Sequence, residues 1–207
     1  MKKIALSNPN SNPHFIGSWM MSPLSICDEL VSYFESNKGK HKYGVTSSGE
    51  NKKFKDTIDI SVLPNEMKKP GNEIFEMYFK NLFSCYRDYK SQWPFLDKFP
   101  KTLNIGEFNL QRYHSGQHYQ GIHTERSSLN TLHRVFAWMT YLTDVDIQDG
   151  GSTYFTHYDL EIQPKKGLTL IWPAEWTHAH KGNVLHANSK YIITGWMHFP
   201  GELGEVS

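Results

Sequence analysis

Thr102-Leu-Asn-Ile-Gly-Glu-Phe-Asn-Leu-Gln-Arg-Tyr113, continued by His114-Ser-Gly-Gln-His-Tyr119 and Gln120-Gly-Ile-His-Thr-Glu125, marks the point where the texture of this chain changes. Before it, apolar residues recur at helical spacing. After it come short β-branched and aromatic runs broken by Gly, Asp and Pro, the pattern of an all-β sandwich or barrel. The runs are Leu103–Tyr113, His118–Thr124, Val135–Thr143, Ser152–Thr156, Tyr158–Gln163, Gly167–Trp172, His178–Lys181 and Tyr191–Phe199, eight in all. Eight short strands suggest a jelly roll.

Toward the N-terminus, Ser22-Pro23 forms a cap and first turn, and Leu24, Cys27, Leu30, Val31 and Phe34 recur at spacings of 3 and 4 as far as Asn37 and Gly39. A second helix is expected from about Asn72 to Lys90, with Ile74, Met77, Tyr78, Leu82 and Tyr86 or Cys85 on one face, ended by Trp93-Pro94. Two helices are too few to serve as crossovers of a parallel sheet, so they should cover one face of the sandwich. Residues 1–17 read as a surface arm that pins Phe15 or Trp19 to the body, and the six lysines between Lys38 and Lys55 as a solvated loop. The expected organisation is a mainly β protein forming a single compact domain. An arm and helices (1–102) support a β core (103–199), and a short tail follows (200–207).

Composition narrows the function. At 207 residues one domain with a sizeable core is the default. With 22 basic against 21 acidic side chains the formal charge is +1, which excludes a polyanion-binding footprint over the whole molecule; nucleic acid is not the expected partner. No run approaches the roughly eighteen apolar residues of a membrane helix, and Met1–Asn12 is not basic-then-apolar, so a cytoplasmic protein is expected. Cys27 and Cys85 form no C-x-x-C and read as buried thiols rather than a disulfide or zinc site. The 11 histidines direct attention to metal or acid–base chemistry.

His123-Thr-Glu125 places an imidazole and a carboxylate two apart, so on a strand both emerge from one face and can bind one ion. His157-Tyr-Asp159 is a second such pair, but it lies too close to His178 to leave room for the intervening strands and reads as a solvated turn. Two histidines and one carboxylate on one face of an octahedron leave three positions open, which suits non-haem ferrous iron that must take a chelating cosubstrate and oxygen. His178 and His180 are both candidates for the second histidine. Lys190 favours His180: ten residues beyond it, at the start of the next strand, an ammonium can reach into the barrel and pair with a carboxylate of a bound dicarboxylic acid.

The segments Tyr113-His-Ser-Gly-Gln-His-Tyr119, His123-Thr-Glu125, Tyr141-Leu-Thr-Asp144, Gly150-Gly-Ser-Thr153 and His180 through Lys190 occur in the order found in the iron(II)- and 2-oxoglutarate-dependent oxygenases. Over about residues 103–199 the chain resembles their prolyl-4-hydroxylase-like branch, and its texture is similar to members encoded by bacteriophages. The resemblance implies a double-stranded β-helix, a form of jelly roll, with His123, Glu125 and His180 as Fe(II) ligands on its inner surface. It also implies that Lys190 holds the distal carboxylate of 2-oxoglutarate, that Tyr113 and Tyr141 contact the same cosubstrate, and that Thr194 is a further candidate for that anion. Two features depart from the family pattern. Glu125 stands where Asp is usual, and Tyr119 is four residues before His123 where prolyl hydroxylases commonly have three, which implies a local bulge.

The activity so implied consumes 2-oxoglutarate and O2, releases succinate and carbon dioxide, and hydroxylates a C–H bond. A prolyl residue in a peptide or protein is the default substrate, with free amino acids, other peptide side chains and small metabolites as alternatives. Tyr119, Trp172 and Trp196 are candidates for substrate contact, although tryptophans such as Trp172, Trp176 and Trp196 more often serve packing. Two rival readings stay open: a zinc hydrolase using the same His/Glu/His set, and a jelly roll that binds without catalysing. Oligomeric state is not legible in the sequence.

Overall fold

The computed structural model describes residues 1–4, 13–46, 49–99 and 102–200. Residues 5–12 of the expected N-terminal arm and nearly all of the tail from residue 200 lie outside the described residues. Along the chain run β1 (Lys2–Lys3), β2 (Gly17–Met20), α1 (Ser25–Ser36), β3 (Lys42–Tyr43), β4 (Ile58–Val62), α2 (Glu73–Gln92), β5 (Asn104–Ile105) and β6 (Phe108–His114). There follow β7 (Tyr119–His123), β8 (Arg134–Tyr141), β9 (Thr153–Phe155), β10 (Leu160–Ile162), β11 (Leu168–Pro173), β12 (His180–Gly182) and β13 (Ser189–His198).

The strands form two antiparallel sheets that face each other as a jelly roll. The larger runs β1-β2-β11-β8-β13-β6-β4-β3 with β5 beside β13, and the smaller runs β10-β9-β12-β7. Every run expected from the sequence after residue 102 overlaps a strand, with ends that differ by one or two residues in several. The segment before it, read as arm, helices and loop, also supplies β1 to β4 to the larger sheet. β2 pairs with β11, burying Trp19 completely while Phe15 stays exposed.

Period-2 alternation sorts the larger sheet into two faces. Phe108 and Leu110 of β6, Phe136 and Trp138 of β8, Ile171 of β11 and Ile193 of β13 point outward, into one cluster with Leu30 and Phe34 of α1 and Phe75, Tyr78, Phe79 and Leu82 of α2. The helices therefore cover the outer face of this sheet. Met77, expected on the buried face of α2, is 41% exposed. The stripe that packs runs through Phe75, Tyr78, Phe79, Leu82, Cys85 and Tyr89, and Met77 lies about 130° round the helix from its centre.

The inward face is different. Tyr113, Ala137, Met139, Tyr141, Leu170, Trp172 and Ile192 pack with Phe155, Leu160, Ile162 and Leu185 into a second cluster between the sheets. The same alternation brings Asp59 and Ser61 of β4, Asn109 and Gln111 of β6, and Lys190, Thr194 and Trp196 of β13 to this inner side, where they line a cavity of about 880 Å³. One end of the barrel interior is thus dry, and the other is polar and open.

Candidate metal and anion site

β7 and β12 pair antiparallel with His123 directly opposite His180, which brings the two imidazoles to 4.4 Å between ring centroids. Four residue steps on β7, Tyr119 to His123, face two on β12, His180 to Gly182, a register irregularity that lies next to the histidines. β7 ends at His123, so Glu125 lies beyond the strand on which it was expected. Two long-range contacts aim it instead: Arg134 donates from NH1 to the Glu125 carbonyl at 2.9 Å, and Trp196 donates from Nε1 to Oε2 at 2.7 Å.

His123, Glu125 and His180 come together with one donor atom each, all within 4.8 Å of one another. Backbone carbonyls claim the other ring nitrogens: His123 Nδ1 lies 2.8 Å from Gly121 O, and His180 Nδ1 lies 2.9 Å from His178 O. Each Nε2 is thereby left facing Glu125 Oε1, at 3.8 Å from His123 and 3.4 Å from His180. Burial, reinforced by the charge of His180, pushes His123 down to about 4, so its ring is neutral near pH 7. Burial alone would raise Glu125; the bond to His180, the charges of His123 and His180, and the Trp196 N–H outweigh it and hold the carboxyl at about 2. Two imidazoles and a carboxylate converging on one point are a donor set that a divalent cation fits, and the cavity in front of them leaves room for further ligands.

His178, the alternative to His180, turns Nε2 to the His14 carbonyl at 2.9 Å and is not part of this group. His157 and Asp159 lie in a turn, Asp159 accepting the Tyr154 hydroxyl at 2.8 Å, away from the cavity.

Lys190 is 3% exposed and lines the same cavity. Its Nζ donates to Gly151 O at 2.7 Å and lies 4.2 Å from the centroid of the Tyr113 ring. Gly150 and Gly151 both have φ near 69°, a conformation that costs a side chain dearly and here turns the Gly151 carbonyl inward. No carboxylate among the described residues pairs with this ammonium, and burial pushes it down to about 7. A buried ammonium held by one carbonyl and the face of a ring has the chemistry to pair with an anion entering the cavity.

Other candidates take different places. Tyr113 lines the cavity and donates its hydroxyl to Gln111 Oε1 at 2.9 Å. Tyr141 stands behind the wall, its hydroxyl given to Thr153 Oγ1 at 2.6 Å, and Thr153 is the residue that reaches the cavity. Thr194 lines the cavity with its hydroxyl donated to Trp138 O at 2.9 Å. Tyr119 stacks on His123 at 3.8 Å and 7°, and Trp172 meets His180 edge-on at 5.2 Å. Trp196 spends its N–H on Glu125, and its ring carries the Arg134 guanidinium at 3.6 Å.

Sequence reading missed Arg134, Thr153 and a buried network at the cavity wall. Lys55 Nζ donates to Asp59 Oδ2 at 2.7 Å, Thr57 to Oδ1 at 2.7 Å, and Gln111 Nε2 to Oδ2 at 3.0 Å. Lys55 is therefore not part of a solvated loop; it is 5% exposed. The alternation Asn109, Gln111, Tyr113 was the one signal that could have put Gln111 beside the tyrosine.

Comparison with known proteins agrees with this geometry. Residues 108–198 match the family model of the 2OG-Fe(II) oxygenase superfamily. No curated protein matches the chain by sequence. In fold, the chain is similar to a viral collagen prolyl hydroxylase from Paramecium Bursaria Chlorella virus-1 in complex with 2OG, with TM-score 0.65 and 17% identity over 90% of this chain and 97% of that one. It is similar to a Pseudomonas putida prolyl-4-hydroxylase, with TM-score 0.67 and 16% identity over 91% and 94%. A Trichoplax adhaerens prolyl hydroxylase, in complex with a hypoxia inducible factor oxygen degradation domain peptide fragment, matches with TM-score 0.70 and 16% identity over 90% and 84%.

Proposed function

We propose that this chain, whose residues 108–198 match the 2OG-Fe(II) oxygenase model and whose fold is prolyl-hydroxylase-like, is an iron(II)- and 2-oxoglutarate-dependent oxygenase that hydroxylates a prolyl or other residue of a peptide substrate. In this reading His123, Glu125 and His180 hold the iron, and Lys190 holds the far carboxylate of 2-oxoglutarate. The observation that carries it is the buried Lys190 ammonium, without a carboxylate partner among the described residues, in the same cavity as the three-donor cluster. A zinc hydrolase would have no use for that cation.

Bound iron, 2-oxoglutarate and O2 together supply the oxidising chemistry that turns C–H into C–OH while the cosubstrate becomes succinate and carbon dioxide. The chain's own part is positional. Gly121 O and His178 O fix the histidine tautomers, and Trp196 and Arg134 keep the Glu125 carboxylate from swinging away. Lys190 and the Tyr113 ring orient the diacid from its far end. Trp172, Met139 and Ile192 keep the inner wall of the cavity apolar, limiting water beside the oxidising centre. Peptides are the favoured substrate class because the cavity opens into a broad mouth and because the Trichoplax relative is bound to a peptide fragment.

The test is direct. Anaerobic protein with ferrous iron and 2-oxoglutarate should develop a weak visible charge-transfer band, and adding O2 with proline peptides should release succinate in step with hydroxylated product. Absence of the band overturns cosubstrate chelation. A band without succinate, across panels of peptides and free amino acids, favours a binding module.

A further inference from the structure

The residues that wall the open side of the cavity come from the segment before the barrel, between β3 and β4. This segment crosses from one sheet to the other. β3 and β4 extend the larger sheet, whereas Phe54 O accepts from Gly121 N at 3.0 Å, and Asp56 and His118 exchange backbone bonds at 2.8 and 3.2 Å on the edge of the smaller sheet. The buried Lys55–Asp59 pair anchors the crossing from within. The strap is thus a fixed wall of the mouth.

Its charge is out of proportion to the molecule. Residues 38–55 contain six lysines against Glu50, a formal +5 in a chain whose total is +1, so the remaining residues carry −4. Lys42 lines the mouth, Lys52 sits with Nζ 3.7 Å over the ring of mouth-lining Tyr43, and Lys53 follows in the same turn. All three are exposed, and among the described residues none has a carboxylate within ion-pair distance. Across the mouth stands Arg134. The acids of the lining are Glu107, at the rim, and Asp59 and Glu125, both already engaged. Between the cations lie exposed apolar side chains, Tyr43 at 52%, Val45 at 61% and Ile122 at 58%.

Building on the proposed peptide hydroxylation, we infer that the substrate is an extended acidic peptide segment, with Asp or Glu flanking an apolar target residue. Glutamates on either side of the target would meet Lys42 and Lys52 on one wall and Arg134 on the other, while Val45 and Ile122 take the apolar side chains between them. A nucleic acid strand shares the charge but not the surface. The exposed ring of Tyr43 is capped by Lys52 rather than free for stacking, Tyr119 is already stacked on His123, and the basic patch occupies one wall instead of a face.

The experiment uses the whole chain loaded with Mn(II) and N-oxalylglycine, an unreactive analogue of the cosubstrate. Fluorescein-labelled peptides sharing an Ala-Pro-Ala-Pro core, flanked by Glu, Gln or Lys, and an oligothymidine are titrated by anisotropy. The Glu-flanked peptide should bind about tenfold tighter than the Gln-flanked one, with an advantage that shrinks as salt rises. Lys42→Glu with Lys52→Glu, both exposed, should invert the order in favour of the Lys-flanked peptide. An order indifferent to flanking charge, the same order in the double variant, no peptide binding, or oligothymidine binding tighter than the Glu-flanked peptide each overturns the inference. Binding of 2-oxoglutarate to the wild-type Mn(II) protein is followed in parallel. Its failure would strike at the oxygenase reading itself, whereas its success with no charge preference removes only the acidic substrate.

Discussion

Trp196 donates its indole N–H to Glu125 Oε2 across 2.7 Å, joining the last strand to a carboxylate that lies beyond the end of its own strand. With Arg134 on the Glu125 carbonyl, this bond compensates for the extra methylene of Glu relative to Asp by fixing where the longer arm ends. Trp196→Phe keeps a ring beneath the Arg134 guanidinium and removes the donor. Metal affinity should fall about 10- to 100-fold with the fold intact, as for other supports of a metal ligand. Mn(II) titration read by paramagnetic resonance measures it; an unchanged affinity would mean that Arg134 alone orients the carboxylate.

With Lys190 in the proposed role of anion anchor, cosubstrate binding should depend on pH. Burial holds its ammonium down to about 7, and only the charged form attracts a carboxylate. Affinity for 2-oxoglutarate should therefore be full below pH 7 and weaken above it, by up to about tenfold per pH unit. The stability of the ligand-free protein moves the other way. Between about pH 7 and pH 10 the unfolded chain carries a proton on this lysine that the folded chain has lost, so unfolding becomes harder as pH rises. Lys190→Met should abolish 2-oxoglutarate binding and raise the unfolding free energy at pH 7 by roughly 2 kcal/mol. Calorimetry across that pH range separates the two effects. A melting temperature that drops in the variant would show the lysine to be a structural group.

Much of this arrangement was legible because it rests on local spacing. Alternation along β13 puts Lys190, Thr194 and Trp196 on one face, and the His123 and His180 strands carry their own turn signals. What stayed hidden depends on partners far apart in sequence. Nothing near Glu125 announces Trp196, 71 residues away. Lys55 reads as one more lysine of a solvated loop until β4 is seen to pair with β6 and bring the buried Asp59 to it. The short strands β2 and β4 escaped for the same reason: their sheet neighbours β11 and β6 lie far along the chain, and a few residues of alternation are too little to declare a strand.

The buried network gives the strap a line to the proposed cosubstrate residues: Lys55 and Gln111 both donate to Asp59, and Tyr113 donates to Gln111. Asp59→Asn leaves the Lys55 ammonium buried and unpaired, at a cost of about 3–5 kcal/mol. The double variant Lys55→Met with Asp59→Leu removes both charges and should unfold close to wild type. It should nevertheless raise KM for 2-oxoglutarate about three- to tenfold with little change in kcat, because Gln111 no longer fixes the Tyr113 ring beside Lys190. An unaltered KM in the double variant would confine the network to anchoring the strap.

Gly121 is a point where the strap meets the strand that carries His123. A Cβ built there would sit 2.2 Å from ring carbons of Phe54, and its carbonyl holds His123 Nδ1 at 2.8 Å. Its φ lies outside the left-handed region, so the constraint is contact with the ring. Gly121→Ala should force Phe54 off the strand and cost about 1–3 kcal/mol. It should also weaken Mn(II) binding, because the shifted carbonyl no longer aligns the His123 ring. Phe54→Ala introduced with Gly121→Ala vacates the space and should restore metal affinity while leaving part of the stability loss, since the ring contact with Tyr119 at 5.9 Å is also gone. Thermal melts with and without Mn(II) on the two variants read both quantities. If metal affinity stays low in the pair, the glycine serves the backbone of β7 itself rather than the fit of Phe54 against it.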